Sequence, residues 1–89
     1  MSFKVLLHPK AARFLEKLDA FPKDRIRQSL RELEDSPEKG EHLKHSPFWR
    51  LRIGDYRAIY EIDKEGGPVI VLFIGHRKNV YDDFSRLLD

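Results

Sequence analysis

The sequence contains no cysteine, which removes disulfide frameworks and thiolate metal sites from consideration. A chain without cysteine suits a reducing compartment, and the reading is a cytoplasmic, soluble protein. Long hydrophobic runs are missing too: the opening MSFKVLLHPK holds too few consecutive apolar residues for a signal peptide or a membrane span. Neither sign of charge dominates, since 17 Lys+Arg against 15 Asp+Glu leave a formal net charge of +2. There is no glycine-rich phosphate loop of either common kind. His42 and His45 lie three residues apart with no third ligand nearby, so a zinc site is not indicated. Spacing suggests no Ser-His-Asp arrangement, and no metal or cofactor is expected.

What is present fits one folded domain spanning residues 1–89, with 36% charged and 11% aromatic residues. A chain this short buries roughly two-thirds of the surface its unfolded form exposes, so its core is thin. The modest total charge hides an uneven distribution. From Leu43 to Tyr60 the basic residues Lys44, Arg50, Arg52 and Arg57 face a single acid, Asp55. Glu32 to Glu41, by contrast, carries Glu32, Glu34, Asp35, Glu38 and Glu41. A basic patch on one face binds a polyanion despite a small net charge.

Phe3 to Leu7 alternates in polarity and reads as a short strand, stopped by His8-Pro9. Proline favours the first position of a helix, and Ala11, Phe14, Leu15 and Leu18 give Pro9 to Leu18 one apolar stripe. A second helix starts at Phe21-Pro22 with Asp24 in its first turn, buries Ile26, Leu30 and Leu33, and ends before Ser36-Pro37. Glu38 to Pro47 reads as a loop. Phe48 to Ile53, Tyr56 to Ile62 and Val69 to Ile74 read as strands, joined by Gly54-Asp55 and by a turn containing Gly66-Gly67. Asn79 caps a last helix, with Tyr81, Phe84, Leu87 and Leu88 at helical spacing. The order β-α-α-β-β-β-α gives an α+β domain whose mainly antiparallel sheet is covered by a helical hairpin on one face.

The stretch WRLRIGDYRAIY carries the chemistry. A two-residue turn at Gly54-Asp55 sets Arg52 opposite Arg57 and Arg50 opposite Ile59, and opposed residues share a face. Trp49, Leu51, Ile53, Tyr56, Ala58 and Tyr60 then point to the core, and the three arginines point away from it. Carrying the alternation onward with Ile62 opposite Pro68 puts Ile70, Leu72 and Ile74 on the core face. Val69, Val71, Phe73 and Arg77 fall on the arginine face. Opposed like charges are destabilising by a few tenths to about 1 kcal/mol, an arrangement that makes sense around an anion, and guanidinium forks suit phosphate. Apolar residues on that face (Ile59, Val71, Phe73) point to a cover over part of it, such as a partner. GHRKNVY adds His76, Arg77, Lys78 and Tyr81 at one strand end. Together with the arginines these resemble a site for phosphodiester chemistry.

RLRIGDYRAIYEID followed by VLFIGHRKNVYDDF closely resembles the RelE/ParE superfamily of toxins from type II toxin–antitoxin modules, over essentially the whole chain. The resemblance to RelE-type members implies a RelE-like fold and a metal-independent endoribonuclease, or mRNA interferase. Such an enzyme cleaves messenger RNA on the ribosome and so inhibits translation. It implies catalytic roles for Arg50, Arg52, Arg57, Arg77 and Tyr81, and a RelB-like antitoxin as partner; Lys44, His76 and Lys78, from the basic stretch and the strand end, are read as further RNA contacts. The family's alternating basic pair is often lysine and is arginine here. Arginine does not surrender its proton as a base, so Arg50, Arg52 and Arg57 are cast as clamps on the phosphate. The base is left between Tyr81 and His76, the latter pointing to the core face in this register. Rival readings are a ParE-like toxin acting on DNA gyrase and a non-catalytic antitoxin-binding relative. The antitoxin is expected on the apolar part of the arginine face or on the C-terminal helix through Phe84, Leu87 and Leu88.

Overall fold

A computed structural model describes residues 3–63 and 65–88, the side chains of Leu87 and Leu88 excepted. The chain runs β1 (Val5–Leu7), α1 (Pro9–Glu16), α2 (Ala20–Glu32), β2 (Glu41–His42), β3 (Phe48–Ile53), β4 (Tyr56–Ile62), β5 (Val69–His76) and α3 (Val80–Leu88). These build a five-stranded sheet in the order β1-β5-β4-β3-β2, with β1 parallel to β5 and the remaining pairs antiparallel. The α+β architecture expected from the sequence is the one observed.

Local chemistry sets the helix boundaries. Proline's fixed φ and missing N–H suit the first helical turn, and Pro9 opens α1 while the His8 ring accepts from the Lys10 N–H at 3.2 Å. α2 begins at Ala20, ahead of Phe21-Pro22, with Asp19 at the cap position. Asp24 therefore lies past the first turn rather than in it. Ala11 and Leu15 from α1, and Ile26, Leu30 and Leu33 beside them, are buried against Leu51, Ile53, Ala58, Tyr60, Val69, Val71 and Ile74. Each fully buried leucine or isoleucine contributes about 1.5–3 kcal/mol.

The segment read as a loop holds more order than its composition suggests. Pro37–Lys39 forms one 3-10 turn, and Glu41–His42 adds an edge strand to β3, with Glu41 opposite Arg50. Tyr60 explains why. Its hydroxyl donates to the Pro37 carbonyl at 2.7 Å and accepts the Gly40 N–H at 3.0 Å, pinning this segment to the sheet. Gly40 is needed there: a Cβ would come within 2.5 Å of the Arg50 carbonyl oxygen and 2.6 Å of the Tyr60 hydroxyl.

β5 departs from the expected register. Ile62 pairs with Val69 rather than Pro68, Tyr60 with Val71, and then an irregularity between Ile59 and Tyr60 leaves Ile59 opposite Phe73. Leu72 is the extra residue of a β-bulge, which shifts the alternation by one position. Val69 and Val71 consequently join the main core and not the arginine face, whereas Phe73 and Ile74 lie where expected. Leu72 packs with the second cluster instead of the core face. A bulge of this kind is invisible to a strict period of two.

The cover over the arginine face comes from the chain itself. Val80 and Phe84 of α3 bury Ile59, with Leu43, Phe48, Leu72 and Phe73 packed around them. Phe84 meets Phe48 edge-on at 5.1 Å between ring centroids. The expected docking role of the Leu87 and Leu88 side chains falls outside the described residues.

Candidate functional site

The site begins at the β3–β4 turn. Gly54 takes φ +58° as the first central residue of a two-residue loop, the place where a type II′ turn requires glycine. The loop fixes the register, so Arg52 stands opposite Arg57 and Arg50 opposite Ile59, as the alternation predicts. All three arginines therefore project from the face that α3 covers only in part.

Arg57 is held by its own hairpin. Its Nη1 donates to the Gly54 carbonyl at 2.7 Å and to the Tyr56 carbonyl at 2.8 Å. Partial desolvation, and then the charges of Arg52, Arg50 and Arg77, lower the pKa of its guanidinium, opposed by Asp55. Arginine nevertheless stays protonated in proteins, so the lowering records desolvation first and, after it, three neighbouring guanidinium groups close enough to repel. Arg77 follows β5; its N–H donates to the Asp55 carbonyl at 2.8 Å and its Nε lies 3.8 Å from Asp55 Oδ1.

At the other end of the cluster Arg50 has two partners. Its guanidinium carbon sits 5.5 Å from the ring centroid of Tyr81, a cation–π distance. Its Nη2 also pairs with the carboxylate of Glu41. Tyr81 remains 42% exposed, open to a ligand lying on the arginine face. Glu41 escapes the sequence reading because its segment looks like a loop. The turn that pairs β2 with β3 falls at Lys44-His45, with His45 at φ +63°, and neither residue type announces a turn.

Arg50, Arg52, Arg57, Arg77 and Tyr81 thus come together. Lys78 is exposed beside Arg77, and Lys44 is exposed in the turn between β2 and β3, at the end of β3 away from Gly54. His76 is not brought to the cluster. It pairs in register with Tyr56 on the opposite face, its ring edge-on to Tyr56 at 6.0 Å, and its Nδ1 accepts the Lys78 N–H at 3.3 Å. His42 packs on Trp49 at 5.0 Å, and its Nε2 bonds the Ser46 carbonyl at 2.7 Å. A cleft of about 1190 Å³ among the described residues lies elsewhere, and its lining is mostly acidic, with Glu32, Asp35, Glu38 and Asp63 against Lys39.

A face with four guanidinium groups, one carboxylate at hydrogen-bonding range of a guanidinium and an exposed aromatic ring is equipped to grip a phosphodiester. Residues 5–81 match the family described as the ParE toxin of the type II toxin–antitoxin system parDE. The chain belongs to this toxin family.

The toxin's fold is shared with solved structures of RelE proteins. It is 27% identical to a chain of the RelBE2 toxin–antitoxin complex of Mycobacterium tuberculosis, covering 86% of the toxin and 93% of that chain at a TM-score of 0.78. The archaeal RelE–RelB complex of Pyrococcus horikoshii gives 26% identity, 86% and 97% coverage and a TM-score of 0.71. A variant of the E. coli toxin RelE in the free state covers 100% of both chains at 21% identity and a TM-score of 0.78, a likeness of fold alone. No curated protein sequence matches the toxin significantly.

Proposed function

We propose that this type II toxin is an endoribonuclease that cleaves messenger RNA on the ribosome without a metal, and so arrests translation. The observation that carries the reading is the arginine face itself, where Arg52 opposes Arg57 with Arg50 and Arg77 alongside. Like charges so placed oppose folding and are repaid when a phosphate sits among them.

In this reading Arg52, Arg57 and Arg77 hold the scissile phosphate, and their hydrogen bonds strengthen as negative charge grows on its oxygens. The ribose 2′-OH attacks phosphorus, giving a 2′,3′-cyclic phosphate and a free 5′-OH. Its proton passes to Glu41, the carboxylate that Arg50 anchors. A carboxylate oxygen is an acceptor, whereas a tyrosine hydroxyl carries a proton of its own. Tyr81 then serves as a base-stacking platform backed by Arg50. The departing 5′-oxygen leaves against Arg77 and takes its proton from solvent. His76 has no part in this scheme, and Lys44 and Lys78 contribute phosphate contacts along the RNA.

A RelB-like antitoxin fits as the partner, since the similar structures include RelE–RelB complexes. An acidic antitoxin segment laid over Arg52 and Arg57 would neutralise the site directly. Action in the cytoplasm follows from the ribosomal target; no described helix is long and apolar enough to cross a membrane.

The match to a family named for ParE favours a second reading, inhibition of DNA gyrase through protein contacts. One experiment separates the two. Toxin is added to an in vitro translation reaction, and mRNA 5′ ends are mapped by primer extension for wild type and Arg57→Ala. Ribosome-dependent cuts that vanish with Arg57→Ala support the nuclease. Intact mRNA with unimpaired translation, together with loss of gyrase supercoiling, supports the ParE-like reading.

A further inference from the structure

Three guanidinium groups from three elements gather on one two-residue turn. Arg57 of β4 donates to the Gly54 carbonyl, and Arg77 follows β5 to meet Asp55. Arg25 comes from α2, on the opposite face of the sheet. Its guanidinium lies against Gly54, where a Cβ would come within 3.2 Å of Nη1. The turn itself carries a single carboxylate, Asp55. Positive charge therefore runs around the rim of the sheet, from the arginine face to the helical face.

On the helical side of this rim stands Phe21, one helical turn before Arg25 and so on the same side of α2. It is 79% exposed, the most exposed large hydrophobic residue described. Beside it is a cleft of about 270 Å³ floored by Pro22, Ile26, Ile53 and Tyr56. That volume falls just short of the range for drug-sized ligand sites, roughly 300–1,000 Å³, and suits a single ring system. An aromatic ring next to a guanidinium, on a cationic path, is how single-stranded nucleic acid is held without sequence readout.

We propose that an unpaired nucleotide of the RNA crosses the Gly54-Asp55 turn and docks on the helical side, its base stacked on Phe21 and its phosphate on Arg25. This subsite rests on the nuclease reading and extends it beyond the arginine face. Continuity of the cationic rim with the site, and a cleft of single-ring size, favour a nucleotide over a protein segment.

The test uses the whole toxin with programmed ribosomes and, separately, a short single-stranded RNA made uncleavable by 2′-deoxy substitution. Phe21→Leu keeps apolar bulk and removes the stacking face; Phe21→Trp restores that face; Arg25→Gln removes the charge; Arg57→Ala is the control for the arginine site. Expected are a roughly 5- to 150-fold loss of RNA affinity and of kcat/KM for Phe21→Leu, rescue by Phe21→Trp, and a shallower salt dependence for Arg25→Gln. Thermal midpoints should not move, because Phe21 is exposed. Should Phe21→Leu bind and cleave like wild type while Arg57→Ala is dead, the subsite is refuted and the nuclease reading stands. A wild-type toxin that neither binds nor cleaves RNA overturns both. Phe21→Leu that weakens only a protein complex, antitoxin or gyrase, reassigns the residue and overturns the subsite.

Discussion

Replacing Arg52 by threonine should make the toxin more stable and less active at once. Arg52 and Arg57 are directly opposed in the β3–β4 ladder. Two unit charges about 6 Å apart in water repel by about 0.7 kcal/mol, within the roughly 0.2–1 kcal/mol span of cross-strand pair energies. Threonine adds a favourable β-propensity at an exposed strand position, so a gain of about 1 kcal/mol is expected. For a domain this small that is a rise of roughly 4–8 °C in Tm. The gain should shrink with added salt, which screens exposed charges over about 10 Å at 0.1 M. It should shrink further in phosphate or sulfate, because an anion bound to the wild type stabilises only the form that binds it. Cleavage should fall about 10²–10³-fold, the usual effect of removing one donor to a developing oxyanion. The assay is a thermal melt at two salt concentrations beside ribosome-dependent cleavage of a single message. A variant that melts lower than wild type at low salt, or that cuts at the wild-type rate, refutes the claim that these arginines are kept together for an anion.

Further outcomes follow from the same geometry. Glu41→Gln should retain the fold and lower kcat by about 10²–10⁴, the span of general-base contributions; cleavage at the wild-type rate would remove Glu41 from the chemistry. Tyr60→Phe leaves the Pro37 carbonyl and the Gly40 N–H without their partner, for an expected loss of about 1–3 kcal/mol per unsatisfied group in urea unfolding. Burial, ahead of the opposing Gly40 N–H, raises the pKa of the Tyr60 hydroxyl in the folded state. Its stabilisation is therefore complete below the unfolded tyrosine value, about 10, and fades as pH rises through the higher folded value. The wild type should lose stability there more steeply than Tyr60→Phe, and parallel alkaline limbs would contradict the assignment. Gly40→Ala places a methyl against the Arg50 carbonyl and should cost about 1–3 kcal/mol by overpacking. It should also reduce cleavage, by shifting β2 and with it Glu41; wild-type stability would show that the close approach is relaxed in solution.

The β3–β4 hairpin was legible in the sequence because one glycine-containing turn and a strict alternation fix both its register and its faces. The placement of Arg50, Arg52 and Arg57 followed directly. Two things were not legible, for different physical reasons. The bulge at Leu72 inserts one residue where nothing in VIVLFIG marks it, since every side chain there is apolar on either face. Val69 and Val71 were accordingly assigned to the wrong side. Glu41 lay in a segment whose order comes from a distant residue, Tyr60, through two hydrogen bonds that no local pattern encodes. The sequence reading expects a partner over the apolar strip on the arginine face; α3 of the same chain covers Ile59 and Phe73, and Val71 belongs to the main core.

The bulge also divides the longest strand mechanically. Ahead of it, Val69, Ile70 and Val71 are gripped on both edges, by β1 and by β4. Beyond it, Phe73 to His76 have β4 alone as a ladder neighbour, and this half leads to Arg77. A locally opening unit is one with fewer cross-strand partners, so the end of β5 that leads to Arg77 opens before the end held on both edges, with Ile74 as its one anchor in the main core. Amide hydrogens of Phe73 to Gly75 should exchange with solvent earlier than those of Val69 to Val71. Movement of Arg77 would then require no unfolding of the rest of the toxin.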